Sequence, residues 1–323
     1  MVKPSGRLPV WPALRIILLS DDLDPELAAI AAQLGLRDAT VLRRSGKTLL
    51  CAGELAGRPV VVKLLLDSSD FCKARWRHEI DVYRHFAREP PPVRAPALIH
   101  TDGRRLLVLE RIDGQPMDTE RYPARRLATA EIEPCLAAIR ALGAWRPESG
   151  RFAPVWDYPD RVSRYHAAGD LTDADRDALL RILAAGDHGV EIGHGDPLPS
   201  NVLLTGDGGC ALIDFEFTGT FLPGFDLAML HTLLGAGSPA IRTRIDQLVA
   251  DTGIELPFAV NLVLVLTREL RIHRELTETS IRTRRLALLA TTWGRASERL
   301  QAAARDVRTL DPVTVSWRRL GGR

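Results

Sequence analysis

His194-Gly195-Asp196-Pro197-Leu198-Pro199-Ser200-Asn201, followed at the end of an apolar run by Asp214-Phe215-Glu216, is the most informative stretch of the chain. It sets Asp196 in a tight Gly/Pro loop, with a carboxamide, Asn201, at the start of the strand that follows. Two apolar runs, Asn201–Leu204 and Cys210–Phe215, flank Thr205-Gly206-Asp207-Gly208-Gly209, which reads as a hairpin turn. A hairpin brings its two ends together. Asn201 and Asp214 are therefore expected side by side, both near Asp196.

Two oxygen ligands and a separate carboxylate suit Mg²⁺-assisted phosphoryl transfer. Mg²⁺ takes a few hard protein oxygens and completes its octahedron with phosphate and water. The third group orients the attacking hydroxyl and accepts its proton. The pattern HGDxxxxN…IDFE resembles the aminoglycoside phosphotransferase and choline kinase family, relatives of the protein kinases, over roughly residues 35 to 300. The resemblance implies an α+β, bilobal protein-kinase-like fold. A small antiparallel β-rich N-lobe with one helix would occupy 1–113 (1–24 being a lead-in), and a larger α-helical C-lobe with the catalytic hairpin 114–323. It implies Asp196 as catalytic base, Asn201 and Asp214 as magnesium ligands, and His194 as a brace for the loop. Asp226, in Phe225-Asp226-Leu227-Ala228, matches a family position that ties the catalytic loop to the next helix.

The first lobe carries an independent signal. Val60-Val61-Val62-Lys63 is an apolar strand ending in a lysine, and an unpaired ammonium there is costly. The resemblance supplies two partners, the ATP α/β-phosphates and the carboxylate of Glu79 in an amphipathic helix. Asp81 and Glu89 are rivals to Glu79, which has the best spacing. Ser45-Gly46-Lys47-Thr48 ends like a phosphate-binding P-loop, but Val41 stands where its first glycine belongs and no long helix follows. In the kinase-like reading it is the turn over the nucleotide, with Gly46 a weak match to a glycine-rich loop. Leu107–Gly114 resembles the family's inter-lobe linker, where backbone groups near Glu110 and Ile112 would read the adenine edge.

Around these motifs the periodicities predict a helix from Pro25 to Leu34 closed by Gly35. Strands are predicted at Thr40–Leu42, Thr48–Leu55, Pro59–Leu66, Ala97–His100 and Leu106–Arg111. A helix is expected over Phe71–Arg88, with Trp76, Ile80, Tyr83 and Phe86 on one face, and further helices over Ala124–Leu142, Thr172–Ala185 and parts of 223–304. Residues 1–24, with Pro4, Gly6, Pro9 and Pro12, read as a loose lead-in.

The composition, 46% hydrophobic and 26% charged, is that of an ordinary globular protein, and a net charge of +2 gives no argument for nucleic acid or an acidic membrane. No secretory signal or membrane span is read, since Leu262–Leu266 is far too short. The scattered Cys51, Cys72, Cys135 and Cys210 argue against a disulfide framework or a zinc site and for thiols in a reducing cytosol. A cytoplasmic monomer or homodimer is expected.

The acceptor is harder to read. From Asn261 onward the chain holds 13 Arg, no Lys and 6 acidic residues. Arg268, Arg271, Arg274, Arg282, Arg284 and Arg285 are either a solvated face or the lining of a pocket. Such a pocket would favour phosphate, carboxylate or neutral sugar over a polyamine. Glu216 stands where protein kinases have the glycine of DFG, and is a further metal or water ligand or a salt-bridge partner. Eleven residues separate Asp214 from Asp226, too few for a regulated activation segment. The expected function is phosphoryl transfer from ATP, with Mg²⁺, to a hydroxyl of a small metabolite or antibiotic. The alternatives are a kinase-like protein acting on a protein or lipid, and a non-catalytic nucleotide-binding scaffold.

Overall fold

The computed structural model describes residues 25–148, 152–186, 188–276 and 279–307; the expected lead-in over 1–24 lies outside them. The chain divides into two compact units, the first ending at Ile80 and resuming over Ala97–Arg111, the second made of Asp81–Pro96 and the chain from Ile112 on.

The first unit is a five-stranded antiparallel sheet. Helix α1 (Pro25–Leu34) leads into β1 (Arg37–Arg44), β2 (Thr48–Leu55) and β3 (Arg58–Leu65). Helix α2 (Asp70–Arg88), β4 (Leu98–Thr101) and β5 (Leu106–Glu110) follow, and the spatial order is β1-β2-β3-β5-β4. Ala56 and Gly57 both have positive φ, as a two-residue hairpin between twisted strands requires, and the turn pairs Leu55 with Arg58. Alternation sorts the sheet into two faces. Leu49, Cys51, Val60, Val62, Leu64, Leu106 and Val108 pack together with Ile30, Ala31 and Leu34 of α1. Lys63, one residue out of phase with Val62 and Leu64, therefore points to the other face.

The second unit is mostly helical. Along the chain come β6 (Gln115–Pro116), α3 (Thr129–Ala144), α4 (Tyr158–Ala167), α5 (Asp173–Ala184) and β7 (Glu191–Gly193). A 3₁₀ turn at Pro199–Asn201 precedes β8 (Val202–Leu204) and β9 (Cys210–Leu212). The rest is β10 (Gly219–Phe221), α6 (Phe225–Leu234), α7 (Pro239–Thr252), α8 (Glu255–Glu275) and α9 (Ser280–Asp306). The C-terminal half of α2 belongs to this unit and sets Tyr83 and Phe86 edge-on to Phe215, with ring centroids 5.8 and 4.9 Å apart.

Five elements differ from the sequence reading. Helix α3 begins at Thr129 rather than Ala124, because the Glu131 carboxylate turns back to accept from Ala128 N–H (2.7 Å) while Arg125 bonds Glu131 and Asp118. Helix α4 was not anticipated, although its start is written in Asp157-Tyr158-Pro159-Asp160: the Asp157 carboxylate accepts from Asp160 N–H at 3.0 Å. Strands β6, β7 and β10 are two or three residues long, too short to leave a period.

Helix α8 is the axis of this unit, with Leu262–Leu266 wholly buried. No helix among the described residues is long and apolar enough to cross a membrane. Asn261 sits inside the apolar run because it closes a polar knot. Its carboxamide accepts from Tyr158 Oη (2.7 Å) and donates to the carbonyls of Leu222 and Pro223 (3.0 Å each), and Tyr158 Oη in turn accepts from Leu222 N–H. All four cysteines are free thiols; Cys51, Cys72 and Cys135 are buried and Cys210 half-buried. Burial pushes the Cys51 and Cys135 thiols up, and Cys210 up to about 12.

Replacing Asn261 with Leu strips three buried polar groups of a partner. We expect a loss of about 3 kcal/mol in urea unfolding; an unchanged midpoint would mean that the knot contributes nothing.

Candidate active site

The Asp196 loop is hung from two elements. Strand β7 pairs with β10, Gly193 opposite Gly219, and delivers the chain to His194. Gly195 has φ +82, and a Cβ there would lie 2.2 Å from the Phe217 carbonyl oxygen, so only glycine fits. The Asp226 carboxylate, in the first turn of α6, accepts from His194 N–H (2.6 Å) and Gly195 N–H (2.9 Å). The tie expected of Asp226 is thus present. Burial pushes its carboxyl up to about 6, against the pull of His194 and the two amides.

His194 is fully buried and spans the loop. Its Nδ1 accepts from Asp196 N–H (3.3 Å) and its Nε2 donates to the Ile213 carbonyl (2.9 Å). An amide can only donate and a carbonyl only accept, so the ring is held as the Nε2–H tautomer.

The hairpin brings its ends together as its sequence predicts. Strands β8 and β9 pair Val202 with Leu212, and Ile213 N–H donates to the Asn201 carbonyl at 3.0 Å, which sets Asp214 beside Asn201. Asp214 is one of the few non-glycine residues with positive φ (+69), a conformation L side chains avoid and one that marks functional positions. Asn201 Nδ2 donates to the Asp196 carbonyl (3.1 Å), and among the described residues Oδ1 has only a long contact to Ser200 Oγ at 3.4 Å. Asp196, Asn201 and Asp214 are therefore assembled in one place. Asn201 Oδ1 and the Asp214 carboxylate are hard oxygen donors of the kind Mg²⁺ takes, and a set this small leaves room for water and phosphate oxygens.

In the other unit Lys63 and Glu79 are also brought together. Lys63 Nζ donates to both carboxylate oxygens, at 2.8 and 2.7 Å, and Glu79 is 1% exposed. Gly46 lies in the β1–β2 turn, where Ser45 Oγ accepts from Lys47 and Thr48 N–H; a Cβ on Gly46 would meet nothing. Glu110 N–H already donates to the Ala97 carbonyl (2.9 Å). Ile112 lines a pocket in the second unit with Arg94, Asp113 and the Thr205–Cys210 turn.

Around Asp196 lie Arg268, which the sequence offered only as one of an arginine-rich set, and Glu269, Arg121 and Tyr122, which it did not single out. Arg268 of α8 donates from Nη2 to Asp196 Oδ1 at 3.0 Å. Its neighbour Glu269 is fully buried and bound by Arg121 through Nε (3.0 Å) and Nη2 (2.7 Å), and by Tyr122 Oη at 2.5 Å. Burial pushes the Glu269 carboxyl up, but Arg121, Arg268 and Tyr122 outweigh it and hold the group below the usual carboxylate range. An acid within an apolar helix was the signal, since a buried carboxylate must find cations.

The phosphotransferase enzyme family model matches residues 55–259, well over half of the chain. The chain belongs to that family. Solved structures carry the same kinase-like α+β fold. The ADP-bound aminoglycoside phosphotransferase APH(2'')-Ib matches at TM-score 0.57 and 14% identity, over 85% of this chain and 99% of its own. The GDP and kanamycin complex of APH(2")-IIia gives 0.57 and 14%, over 84% and 98%. Macrolide 2'-phosphotransferase MphH from Brachybacterium faecium gives 0.54 and 17%, over 88% and 98%. No curated protein matches the chain.

One further buried carboxylate lies on the strand that leads to the Asp196 loop. Glu191 of β7 accepts from Gly224 N–H (2.6 Å) at the start of α6, and burial pushes it up to about 7. A carboxyl raised in the folded state contributes stability at acid pH that is lost as pH rises through its folded value. From the ordinary 4.5 to about 7, that loss is roughly 3 kcal/mol. Glu191→Gln should therefore flatten the decline in stability between acid and mildly alkaline pH; urea unfolding with the wild-type slope would refute the assignment.

Proposed function

We propose that the chain is an ATP- and Mg²⁺-dependent kinase that phosphorylates a hydroxyl of a small molecule. The observation that carries this reading is the end of the β8–β9 hairpin, where Asn201 and Asp214 sit side by side and Asn201 holds the Asp196 carbonyl. Family membership supports the reaction class, and the ADP and GDP bound in two similar structures support a nucleotide donor.

Asp196 orients the acceptor hydroxyl and takes its proton as the oxygen attacks the γ-phosphorus and ADP departs. Its Oδ1 is held by Arg268, and Oδ2, without a partner among the described residues, faces the hydroxyl. Asn201 and Asp214 would hold Mg²⁺, which would supply charge neutralisation to the phosphate oxygens. Lys63, fixed by Glu79, binds the α/β-phosphates; Gly46 covers them, and the backbone near Glu110 and Ile112 reads the adenine. Four free thiols are in keeping with a cytoplasmic setting.

Asp196→Asn should lower turnover at least about 100-fold while leaving Mg-ATP affinity within a few-fold of wild type. Parallel loss of nucleotide binding by calorimetry would remove Asp196 from the role of base. Asp214→Ala should abolish the Mg²⁺ dependence of ATP binding, and an unchanged dependence would dismiss it as a ligand.

A further inference from the structure

Asp196 is approached by two half-buried guanidiniums, and their hydrogen-bonding capacity is not used up. Arg121 Nη2 and Arg268 Nε lie 2.7 and 3.8 Å from the same oxygen, Glu269 Oε1. Arg121 also feels the Asp196 charge, so the four groups form one cluster. A guanidinium has five N–H donors. Arg268 uses one on Asp196, and among the described residues the rest meet only the Met229 sulfur at 3.8 Å and the distant Glu269. Arg121 uses Nε and Nη2 on Glu269, and Nη1 has no partner among the described residues. Their side chains keep 26% and 24% exposure, so both can be reached by a ligand.

The carboxylates of the cluster offer nothing comparable. Glu269 is fully buried and saturated by Arg121 and Tyr122, and Asp196 Oδ1 is taken by Arg268. An ammonium group brought here meets two cations and no spare anion except the oxygen needed for catalysis. An oxyanion meets unspent N–H donors in the fork geometry that guanidinium presents to carboxylate and phosphate.

We infer that the acceptor is an alcohol bearing a carboxylate or phosphate group, and that Arg121 and Arg268 are the residues that select it. The inference rests on the kinase reading above, but its first test does not need turnover. Inorganic phosphate titrated calorimetrically into the full chain should bind at least about tenfold more tightly to wild type than to Arg268→Gln or Arg121→Gln, the loss of one charge-assisted pair. Phosphate sites elsewhere survive in both variants, so equal affinity would overturn the inference. Arg268→Lys, which keeps a cation beside Asp196 but loses the fork, should fold as wild type and still bind phosphate more weakly.

The second test is Mg-ATP turnover with two matched sets, glycerate, glycerol and serinol, and gluconate, glucose and glucosamine, with kanamycin added and Asp196→Asn as blank. The acid of a set should have the highest kcat/KM, and Arg268→Gln should raise its KM far more than it alters the neutral alcohol's. A preference for the amine or the neutral member, lost in the blank, would overturn the inference and leave the kinase standing. So would an equal fall in kcat for every member, which would put Arg268 on the transferred phosphoryl group instead. If no member turns over, the phosphate titration decides alone, and failure to bind Mg-ATP would count against the kinase reading only.

Discussion

The site of the second unit depends on one buried carboxylate. Asp226 receives two consecutive backbone amides, those of His194 and Gly195, and so fixes the point where β7 becomes the Asp196 loop. Every later position follows from it. His194, held by its amide, reaches across to Ile213 and back to Asp196; Asn201 then holds the Asp196 carbonyl, and the β8–β9 ladder delivers Asp214. Burying a carboxylate costs solvation, and two charge-assisted hydrogen bonds at a helix N-terminus are the usual compensation. Helix α6 provides that end, and each of its residues is buried, so the anchor is packed on every side.

A second buried acid organises the approach to Asp196. Glu269 draws Arg121 from the segment before α3 and stands next to Arg268 on α8, so two cations converge from distant parts of the sequence. Among the other arginines of this region, Arg271 and Arg274 both bind Asp170, and Arg282 caps the carbonyls of His273 and Arg274. Those side chains brace neighbouring elements, whereas Arg268 points at the candidate base.

Legibility tracked the range of the interactions. The hairpin ends were readable because ladder geometry is a local rule, whereas Glu79 as the partner of Lys63 came from the family resemblance, spacing favouring it over Asp81 and Glu89. The fold class was readable because the spaced polar residues from His194 to Asn201 and from Asp214 to Glu216 resemble a known family's motif, and the resemblance implied the architecture. Helix α4 was missed although its cap and proline are plain, since its composition is polar and its apolar face narrow. The short strands β6, β7 and β10 carry no period at all. The cluster at Glu269 was hidden for another reason: Arg121 and Glu269 are separated by most of the second unit, and nothing in either neighbourhood names the other.

The thiols have a practical consequence. Alkylating reagents attack the thiolate, and a group held near 12 presents almost none of it at neutral pH. Cys210 is thereby unreactive despite its partial exposure, and Cys51, Cys72 and Cys135 are shielded by their burial. A single cysteine introduced on the surface would be the one site a maleimide finds quickly. Fluorescent or spin labels could therefore be attached to the native background without first stripping out its own sulfur.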